Sequence, residues 1–207
     1  MLIFMKNVKK FLDLKSDNEK FHALHYVGGR VYAASWHMMT WFDGDFGKHG
    51  SYDFTTGAEL MDQTSPFPKV VPPVKENSVY AVYSPAELEE LHVFLKGIAA
   101  MSVKKKDALS VQIEWEPVIM AFKVHEPKLQ AQYAASSYMR NHPHDEHERA
   151  CVNVKYLADI VGYFAQRKTE ARIYAPLRVS RQTPILFTAE ETGAVLCQRR
   201  DMTIFKD

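Results

Sequence analysis

The sequence predicts an α+β fold in which one helix and three short antiparallel strands form a unit that recurs about three times. Two observations lead to this prediction. Three segments carry apolar residues at helical spacing, and the segments between them alternate apolar and polar residues as strands do. Glycines, prolines and polar clusters divide the strand-like segments into short lengths. Such a unit cannot bury its faces alone, so we expect the helices to lie on one face of the sheets.

Three segments predict helices. In FMKNVKKFLDLK, near the start of the chain, apolar residues share one face and lysines the other. In SPAELEELHVFLKGIAAM, Ser84 and Glu87 form a capping box and Pro85 suits the first helical turn. In VNVKYLADIVGYFAQRK, Asn153 is the expected cap, and the buried stripe consists of Leu157, Ile160, Val161 and Phe164.

Strand-like segments surround these helices. FHALHYV and RVYAASW flank Gly28 and Gly29, which predicts a hairpin because glycine tolerates positive φ at both turn positions. LSVQIEW, VIMAFKV and QAQYAASSY follow the second helix, and SVYAVY precedes it as an extra strand. After the third helix, turn residues separate ARIYA, PILFT and GAVLCQR.

A proline-rich segment divides the chain. SPFPKVVPP has four prolines in nine residues and continues neither a helix nor a central strand. We therefore predict a reduced N-terminal half-domain over residues 1–78 and a fuller domain over residues 79–207. Either a fourth helix lies within residues 47–64, or the N-terminal part is a shortened unit.

Composition limits the classes of function. The formal net charge is +1, so attraction to nucleic acid would depend on local clusters of basic residues. Cys151 and Cys197 are far apart in the sequence, which argues against a disulfide framework and fits a reducing compartment. The sequence shows no signal-peptide pattern and no apolar run long enough to cross a membrane. We expect a cytoplasmic protein.

One segment could bind a metal ion. NHPHDEHERAC contains His142, His144 and His147, with Cys151 at its end. Histidine and carboxylate side chains are ligands for zinc or nickel, although this spacing matches no closed structural zinc site. A polar hairpin tip explains the segment equally simply and is the favoured interpretation. A small metal-dependent enzyme using this segment is the least favoured functional alternative.

The sequence contains no recognisable catalytic motif. There is no GxGxxG, P-loop or GxSxG pattern, so we predict no catalytic residues and no cofactor. Asp43 and Asp45 in WFDGDFG could ligate a cation, but an Asp-Gly turn explains them as well.

Basic residues instead cluster on the predicted helices and at their ends. Lysine is common on solvated helix faces, yet three such helices on one surface could contact phosphate groups without reading bases. The candidate contacts are Lys6, Lys9, Lys10, Lys96, Lys104, Lys105, Lys106, Lys155, Arg167 and Lys168.

The segment from Val152 to Arg200 resembles the closing half-domain of DNA sliding clamps, such as the β subunit of bacterial DNA polymerase III. In that family an Asn-capped YL-D-L helix precedes a strand, a polar turn, a P-I-F strand and a final strand that ends in basic residues. FPKVVPPVKENSVYAVYSPAELEELHVFLKGIAAM resembles the passage between clamp domains. LHYVGGRVYAASWHM is similar to the clamp hairpin that ends in L-A-T-D-G-H, with Ala33, Ala34, Ser35, Trp36 and His37 at the varied positions.

The resemblance implies a clamp-like α+β fold and a non-catalytic processivity factor. Clamp helices line the hole of a ring and contact double-stranded DNA non-specifically, and the sheets form the outside. It also implies a homo-oligomer, as in the short trimeric clamps of phages, that tethers DNA polymerase or other replication proteins. The positions matching the partner-peptide pocket are Val195 and Cys197. An alternative in a different functional class is a clamp-fold protein-interaction module that does not encircle DNA.

Overall fold

The structure is a computed structural model, and it describes residues 1–60, 71, 74, 78–101, 109–116, 119–126, 129–135, 138–140, 148–176 and 183–199. Helix α1 spans Leu2–Asn7 and continues into a 3₁₀ turn, Val8–Phe11. A second 3₁₀ turn, Glu19–His22, leads into five strands. These strands are β1 (Ala23–Val27), β2 (Arg30–Ala34), β3 (Met38–Asp43), β4 (Gly50–Asp53) and β5 (Glu59–Leu60).

The rest of the chain contains two longer helices and nine strands among the described residues. The helices are α2 (Pro85–Met101) and α3 (Val154–Arg167). The strands before α3 are β6 (Tyr80–Tyr83), β7 (Ser110–Trp115), β8 (Met120–Glu126), β9 (Leu129–Ala135), β10 (Tyr138–Arg140) and β11 (Glu148–Asn153). Those after it are β12 (Ala171–Tyr174), β13 (Ile185–Ala189) and β14 (Thr192–Leu196).

The strands form two antiparallel sheets. One has ten strands in the order β10-β6-β12-β13-β14-β3-β2-β1-β4-β5, and the other has four in the order β11-β7-β8-β9. Each helix is followed by a trio of antiparallel strands: β1–β3, β7–β9 and β12–β14. The strand before α2 joins the trio that follows α3, and the strand before α3 joins the trio that follows α2. The predicted α+β fold with helix-plus-strand units is confirmed.

The main core lies between the helices and the sheets. It combines the buried stripes of α2 and α3 with the inward residues of both sheets. Aromatic rings join α1 to α3: the Tyr163 ring lies edge-on to Phe4 and Phe11, with centroids 6.4 and 5.9 Å away. A second, smaller apolar cluster covers the opposite face of the ten-stranded sheet, which we call the outer face.

The capping and turn signals in the sequence are confirmed, whereas the first predicted helix, FMKNVKKFLDLK, is α-helical only to Asn7 and 3₁₀ to Phe11. The Ser84 backbone N–H donates to Glu87 Oε2 at 2.8 Å, and the Glu87 N–H donates to Ser84 Oγ at 3.3 Å. Asn153 Oδ1 accepts from the Lys155 N–H at 2.9 Å. Gly28 and Gly29 have φ of 58° and 73° at the β1–β2 turn.

Two predictions concern the N-terminal region: a fourth helix within residues 47–64 and a division of the chain near residue 78. Residues 47–60 contain β4 and β5, so a fourth helix there is wrong; residues 61–64 lie outside the described residues. β4 extends the sheet, because its residues from Gly50 to Asp53 pair with β1. Gly50 has a φ of 107°, which glycine adopts readily. The division near residue 78 stays a prediction, although β3 and β14 join both parts in one sheet.

The alternation expected for LSVQIEW holds in the structure, but both faces of β7 are buried. Gln112 and Glu114 are each 7% exposed. Glu114 forms ion pairs with Lys123 and Arg149, side chains from the neighbouring strands, which cover it. Burial opposes ionisation, but these cations and the Gln112 amide leave the pKa of Glu114 below its ordinary value.

Strands β3 and β14 pair at a junction where Gly193 has no side chain. Trp41 lies opposite Gly193, and its indole occupies the space beside that glycine. The Thr192 hydroxyl donates to the Trp41 carbonyl at 2.6 Å, and the Thr40 hydroxyl donates to the Gly193 carbonyl at 3.0 Å. A buried Tyr163 hydroxyl lies 2.6 Å from Thr192 Oγ1, so this junction also holds α3.

We predict that Gly193→Ala destabilises the protein, because the added methyl group would lie 2.0 Å from Trp41 Cζ2 and displace the indole. Overpacking of this kind costs about 1–3 kcal/mol. Thermal unfolding measures the loss. The control is Gly97→Ala in α2, where an added methyl group meets nothing within 4 Å. Equal melting temperatures for the two variants would contradict the packing described.

Candidate functional site

The three helices lie side by side with α3 in the middle. On one side, Asn7 Nδ2 at the end of α1 donates to Gln166 Oε1 of α3 at 3.0 Å. On the other side, the His92 ring of α2 lies against Gly162, where an added methyl group would be 2.5 Å from His92 Nε2. The absence of a side chain at Gly162 therefore allows α2 and α3 to approach closely.

Six of the predicted basic contacts are exposed on these helices or at their ends: Lys6, Lys9, Lys10, Lys96, Lys155 and Lys168. Lys10 Nζ donates to Asn7 Oδ1 at 3.0 Å. Lys10 also interacts electrostatically with His92 of α2 and Asp159 of α3. Charged groups from all three helices thus share one surface, which we call the helix face, on the opposite side of the molecule from the outer face.

The electrostatics of the helix face centre on Asp159 and His92. Burial raises the pKa of Asp159, and Lys10, Lys155 and His92 oppose that rise. Burial lowers the pKa of His92, and Lys10 and Lys96 lower it further. At neutral pH the His92 imidazole of the helix face is therefore uncharged.

Arg167 occupies a different environment from the lysines. Its side chain is 9% exposed, and its guanidinium lies over the Phe42 ring, 5.4 Å from the centroid. Nη2 donates to Glu191 Oε2 at 2.8 Å and lies 3.5 Å from Glu190 Oε2. The structure places this residue in a contact between α3 and the β13–β14 turn.

Two predicted groups lie outside the described residues. They are the run Lys104, Lys105 and Lys106 after α2, and the three histidines of the proposed metal segment, His142, His144 and His147. Cys151, at the end of that segment, is buried in β11. Within the part of the chain that the structure describes, no three His, Cys, Asp or Glu side chains come together as metal ligands would.

The acidic turn after β3 has an architecture of its own. Asp43 forms a bidentate ion pair with Arg30, whose guanidinium also lies 5.2 Å from the Trp41 ring centroid. Asp45 Oδ1 accepts from the Gly47 N–H at 3.1 Å, as in an Asx turn. Asp45 therefore lies in a turn, whereas Asp43 is the last residue of β3.

A row of apolar residues crosses the outer face. Successive cross-strand partners carry it over six strands: Ala34, Met39, Val195, Leu186, Tyr174 and Tyr80. Val195 is 1% exposed and packs in the second apolar cluster. Val71, from the proline-rich segment, packs against the same cluster. Val195 therefore lies at the centre of this row, covered by its neighbours.

Cys197 lies just past the end of β14, beside the β2–β3 turn. Its backbone N–H donates to the His37 carbonyl at 2.8 Å, and the His37 ring stacks on Tyr156 at 5.0 Å. The side chain is half-buried, and burial raises the pKa of the thiol. Trp36, in the same turn, is 63% exposed and packs against Phe21.

An open cavity of about 250 Å³ adjoins the row on the outer face. It is lined by Tyr32, Met39 and Trp41 and by the Arg30–Asp43 ion pair. The sequence analysis did not identify Tyr32, Met39 or Trp41 as site candidates. The available signal was that β2 and β3 are apolar on both faces, which indicates burial on both sides of the sheet.

Comparison with solved structures decides the fold family. The β subunit of DNA polymerase III from Pseudomonas aeruginosa matches with a TM-score of 0.69 at 12% identity, over 96% of this chain and 63% of that chain. The β sliding clamp of Caulobacter crescentus gives 0.70 at 15% identity, over 96% and 63%. The β subunit from Thermotoga maritima gives 0.70 at 13%, over 96% and 62%. The chain has the sliding-clamp fold.

No protein-family model and no curated protein sequence matches the chain. The chain spans less than two thirds of the length of these clamps. Among the described helices, none combines the length and apolar character required to cross a membrane.

We predict that Arg167→Ala destabilises the fold, because it removes the ion pair with Glu191 and the contact with Phe42. Loss of a packed, paired arginine costs roughly 1–2 kcal/mol, the lower end applying here because the glutamates are partly exposed. Chemical denaturation at neutral pH measures the change. Lys168→Ala, at the exposed neighbouring position, should leave stability nearly unchanged; an equal loss in both variants would contradict the assignment of Arg167 to the α3 contact.

Proposed function

We propose that this protein is a non-catalytic DNA sliding clamp or clamp-like processivity factor. The observation that carries the proposal is the helix face: α1 and α2 both pack against α3, and exposed Lys10, Lys96 and Lys155 share the surroundings of His92 and Asp159 on that one side. The sliding-clamp fold supports the same function.

The chemistry of the helix face suits contact with phosphate groups. Lysine ammonium groups attract the DNA backbone at any sequence, and bidentate donors that read base edges are not required. Asp159 and Gln166 add polar groups between the lysines. Contacts of this kind hold a duplex near the surface and still allow movement along it. The proposal includes Lys104, Lys105 and Lys106 as further contacts at the end of α2.

Enclosure of DNA by chains of this length requires several copies, so the proposal includes a homo-oligomer in the cytoplasm. The outer face would then hold a segment of DNA polymerase or another replication protein. Val195 and Cys197 are the positions proposed for that contact, together with Met39 and Trp41 at the adjoining cavity.

We predict that Lys10→Glu, Lys96→Glu and Lys155→Glu each weaken duplex binding by roughly tenfold near 0.1 M salt, because each replaces one phosphate contact by repulsion. Fluorescence anisotropy with a labelled duplex of arbitrary sequence measures the dissociation constant. The slope of log K against log salt should become shallower by about 0.9 per lost contact.

The matched control for this charge reversal is Arg172→Glu. Arg172 is exposed on the outer face, where it lies 5.4 Å from the Tyr80 ring centroid. The Arg172→Glu substitution should leave the dissociation constant of the duplex and the slope of log K against log salt unchanged. If Arg172→Glu weakens binding as much as Lys155→Glu does, the helix face is not the DNA surface.

We predict that duplex binding strengthens as the pH falls from 8 to 5. The pKa of His92 is lowered, so this side chain gains its positive charge below pH 6.5. The pKa of Asp159 is raised, so as the pH falls this side chain is neutralised at a higher pH than an ordinary aspartate. Both changes add positive charge to the helix face. Asp159→Asn should bind more tightly than the wild type at pH 8 and depend less on pH. Tighter binding at pH 8 than at pH 5 would contradict this account.

A second candidate function is a protein-interaction module with the sliding-clamp fold that does not encircle DNA. The outer face favours it, because the open cavity beside the apolar row has a volume that suits a peptide side chain. Duplex binding separates the two candidates. Absence of duplex binding by the wild type at 0.05 M salt would leave only the interaction module.

A further inference from the structure

Three aromatic rings meet on the face of β1 and β4 that packs against the main core. Tyr26 is opposite Gly50 in the β1–β4 register, and Tyr52, two residues further along β4, lies on the same face. The two tyrosine ring centroids are 5.8 Å apart, and the ring planes meet at 76°. Phe46 packs edge-on against Tyr26, with centroids 5.6 Å apart. The tyrosines therefore form two walls, supported by Phe46, of what we call the aromatic corner.

The aromatic corner holds a cation. Lys48 Nζ lies 5.1 Å from the Tyr52 ring centroid and 5.8 Å from the Tyr26 ring centroid. A cation within about 6 Å of a ring centroid is attracted by the negative face of the ring. Lys48 is an exposed residue, so water also reaches it. The corner thus binds an ammonium group that is free to exchange with solvent.

A carboxylate lies beside the aromatic corner. Glu59 of β5 is opposite Tyr52 in the β4–β5 register. A methyl group added to Gly50 would lie 3.2 Å from Glu59 Oε1 and 3.8 Å from Tyr52 Cε2. Because Gly50 has no side chain, the carboxylate and the tyrosine ring approach each other above it. A negative charge close to the two ring faces adds a further attraction for a cation.

The aromatic corner is fixed by groups other than Lys48. Tyr26 and Tyr52 lie on paired strands, which hold their backbones in place. The Tyr52 hydroxyl donates to the His49 carbonyl at 3.1 Å, which orients the second ring. Removal of Lys48 from the corner requires only rotation of its own side chain. The corner is therefore formed in advance for any cation that replaces Lys48.

The group bound in the corner indicates the shape of a ligand. A side chain of lysine length ends between the two ring faces. Trimethylation of a lysine keeps the positive charge and adds three methyl groups that contact aromatic rings. It also removes the N–H groups that bind water strongly, so the cation leaves water at a lower cost. A trimethylated lysine therefore gains more from the two rings than Lys48 does.

We propose that the aromatic corner binds a trimethylated lysine side chain of another protein, and that this ligand displaces Lys48. Tyr26 and Tyr52 supply the two ring faces, and Glu59 supplies the negative charge beside them. The helix face and the outer face take no part in this contact. The site is therefore independent of the proposed function, and all its tests are made without DNA.

Proton NMR with the full chain and Nα-acetyl-trimethyllysine amide tests the site. The N-methyl signal of the probe should move upfield when protein is added, because protons above a ring face are shielded. The Lys48 ε-methylene signals should lose their own upfield displacement as the probe takes their place. Absence of a shift with the probe at about 20 mM, or unchanged Lys48 signals at saturation, overturns the proposal.

Two matched probes separate charge from shape. One is Nα-acetyl-lysine amide, which lacks the methyl groups. The other is the carbon analogue, in which a neutral tert-butyl group replaces the trimethylammonium group. Each should bind at least roughly fivefold more weakly than the trimethylated probe, because one lacks the contact with the rings and the other lacks the charge. Equal binding of the neutral analogue overturns recognition by the ring faces.

Substitutions of Tyr52 and Lys48 should have opposite effects. Tyr52→Leu keeps apolar bulk but removes one ring face, so the dissociation constant of the trimethylated probe should rise roughly fivefold. Lys48→Ala removes the competing cation, so the constant should fall by roughly the same factor. Lys48→Arg is the matched control, because it keeps a cation over the rings and should bind as the wild type does. A Lys48→Ala variant that binds no more tightly than Lys48→Arg overturns the displacement.

Choline chloride distinguishes a protein side chain from a free small molecule. It carries the same trimethylammonium group without the aliphatic chain of lysine, so it should bind more weakly than the trimethylated probe. Weaker binding of choline supports the side chain as the ligand. Tighter binding of choline assigns the aromatic corner to a small molecule and overturns the proposal.

Discussion

The pairing of β3 with β14 is the interaction on which the rest of the structure depends. It joins the strands that follow α1 to those that follow α3 in one sheet. The junction is tight because Trp41 occupies the space that a side chain at Gly193 would fill. Through Thr192 and Tyr163 it also positions α3, against which both other helices pack.

This junction separates two surfaces with different chemistry. On one side the helices cover the sheet with buried apolar stripes and turn their lysines to solvent. On the other side Met39 and Val195 lie in a buried apolar row beside an open cavity. A charged face suits a sequence-independent polyanion, and an apolar row suits a protein segment. The two proposed contacts therefore do not compete for the same surface.

Sequence patterns predicted the local elements well. Ser84 and Asn153 cap helices because their side chains satisfy backbone N–H groups nearby, and such interactions depend on a few adjacent residues. Arg167 shows the limit of this reasoning. Its place at the end of a basic helix suggested a solvent-facing cation, but Glu191 and Phe42, distant in the sequence, hold it against the sheet.

By itself, the sequence determined the three helices, most strands, the glycine hairpin and the positions of the exposed lysines, because these follow from apolar spacing and capping within short segments. Only the tertiary structure decided which strands pair. The exchange of β6 and β11 between trios and the pairing of β3 with β14 bring together residues distant in the sequence. Backbone hydrogen bonds have the same chemistry at every strand, so the choice of partner depends on packing across the whole sheet.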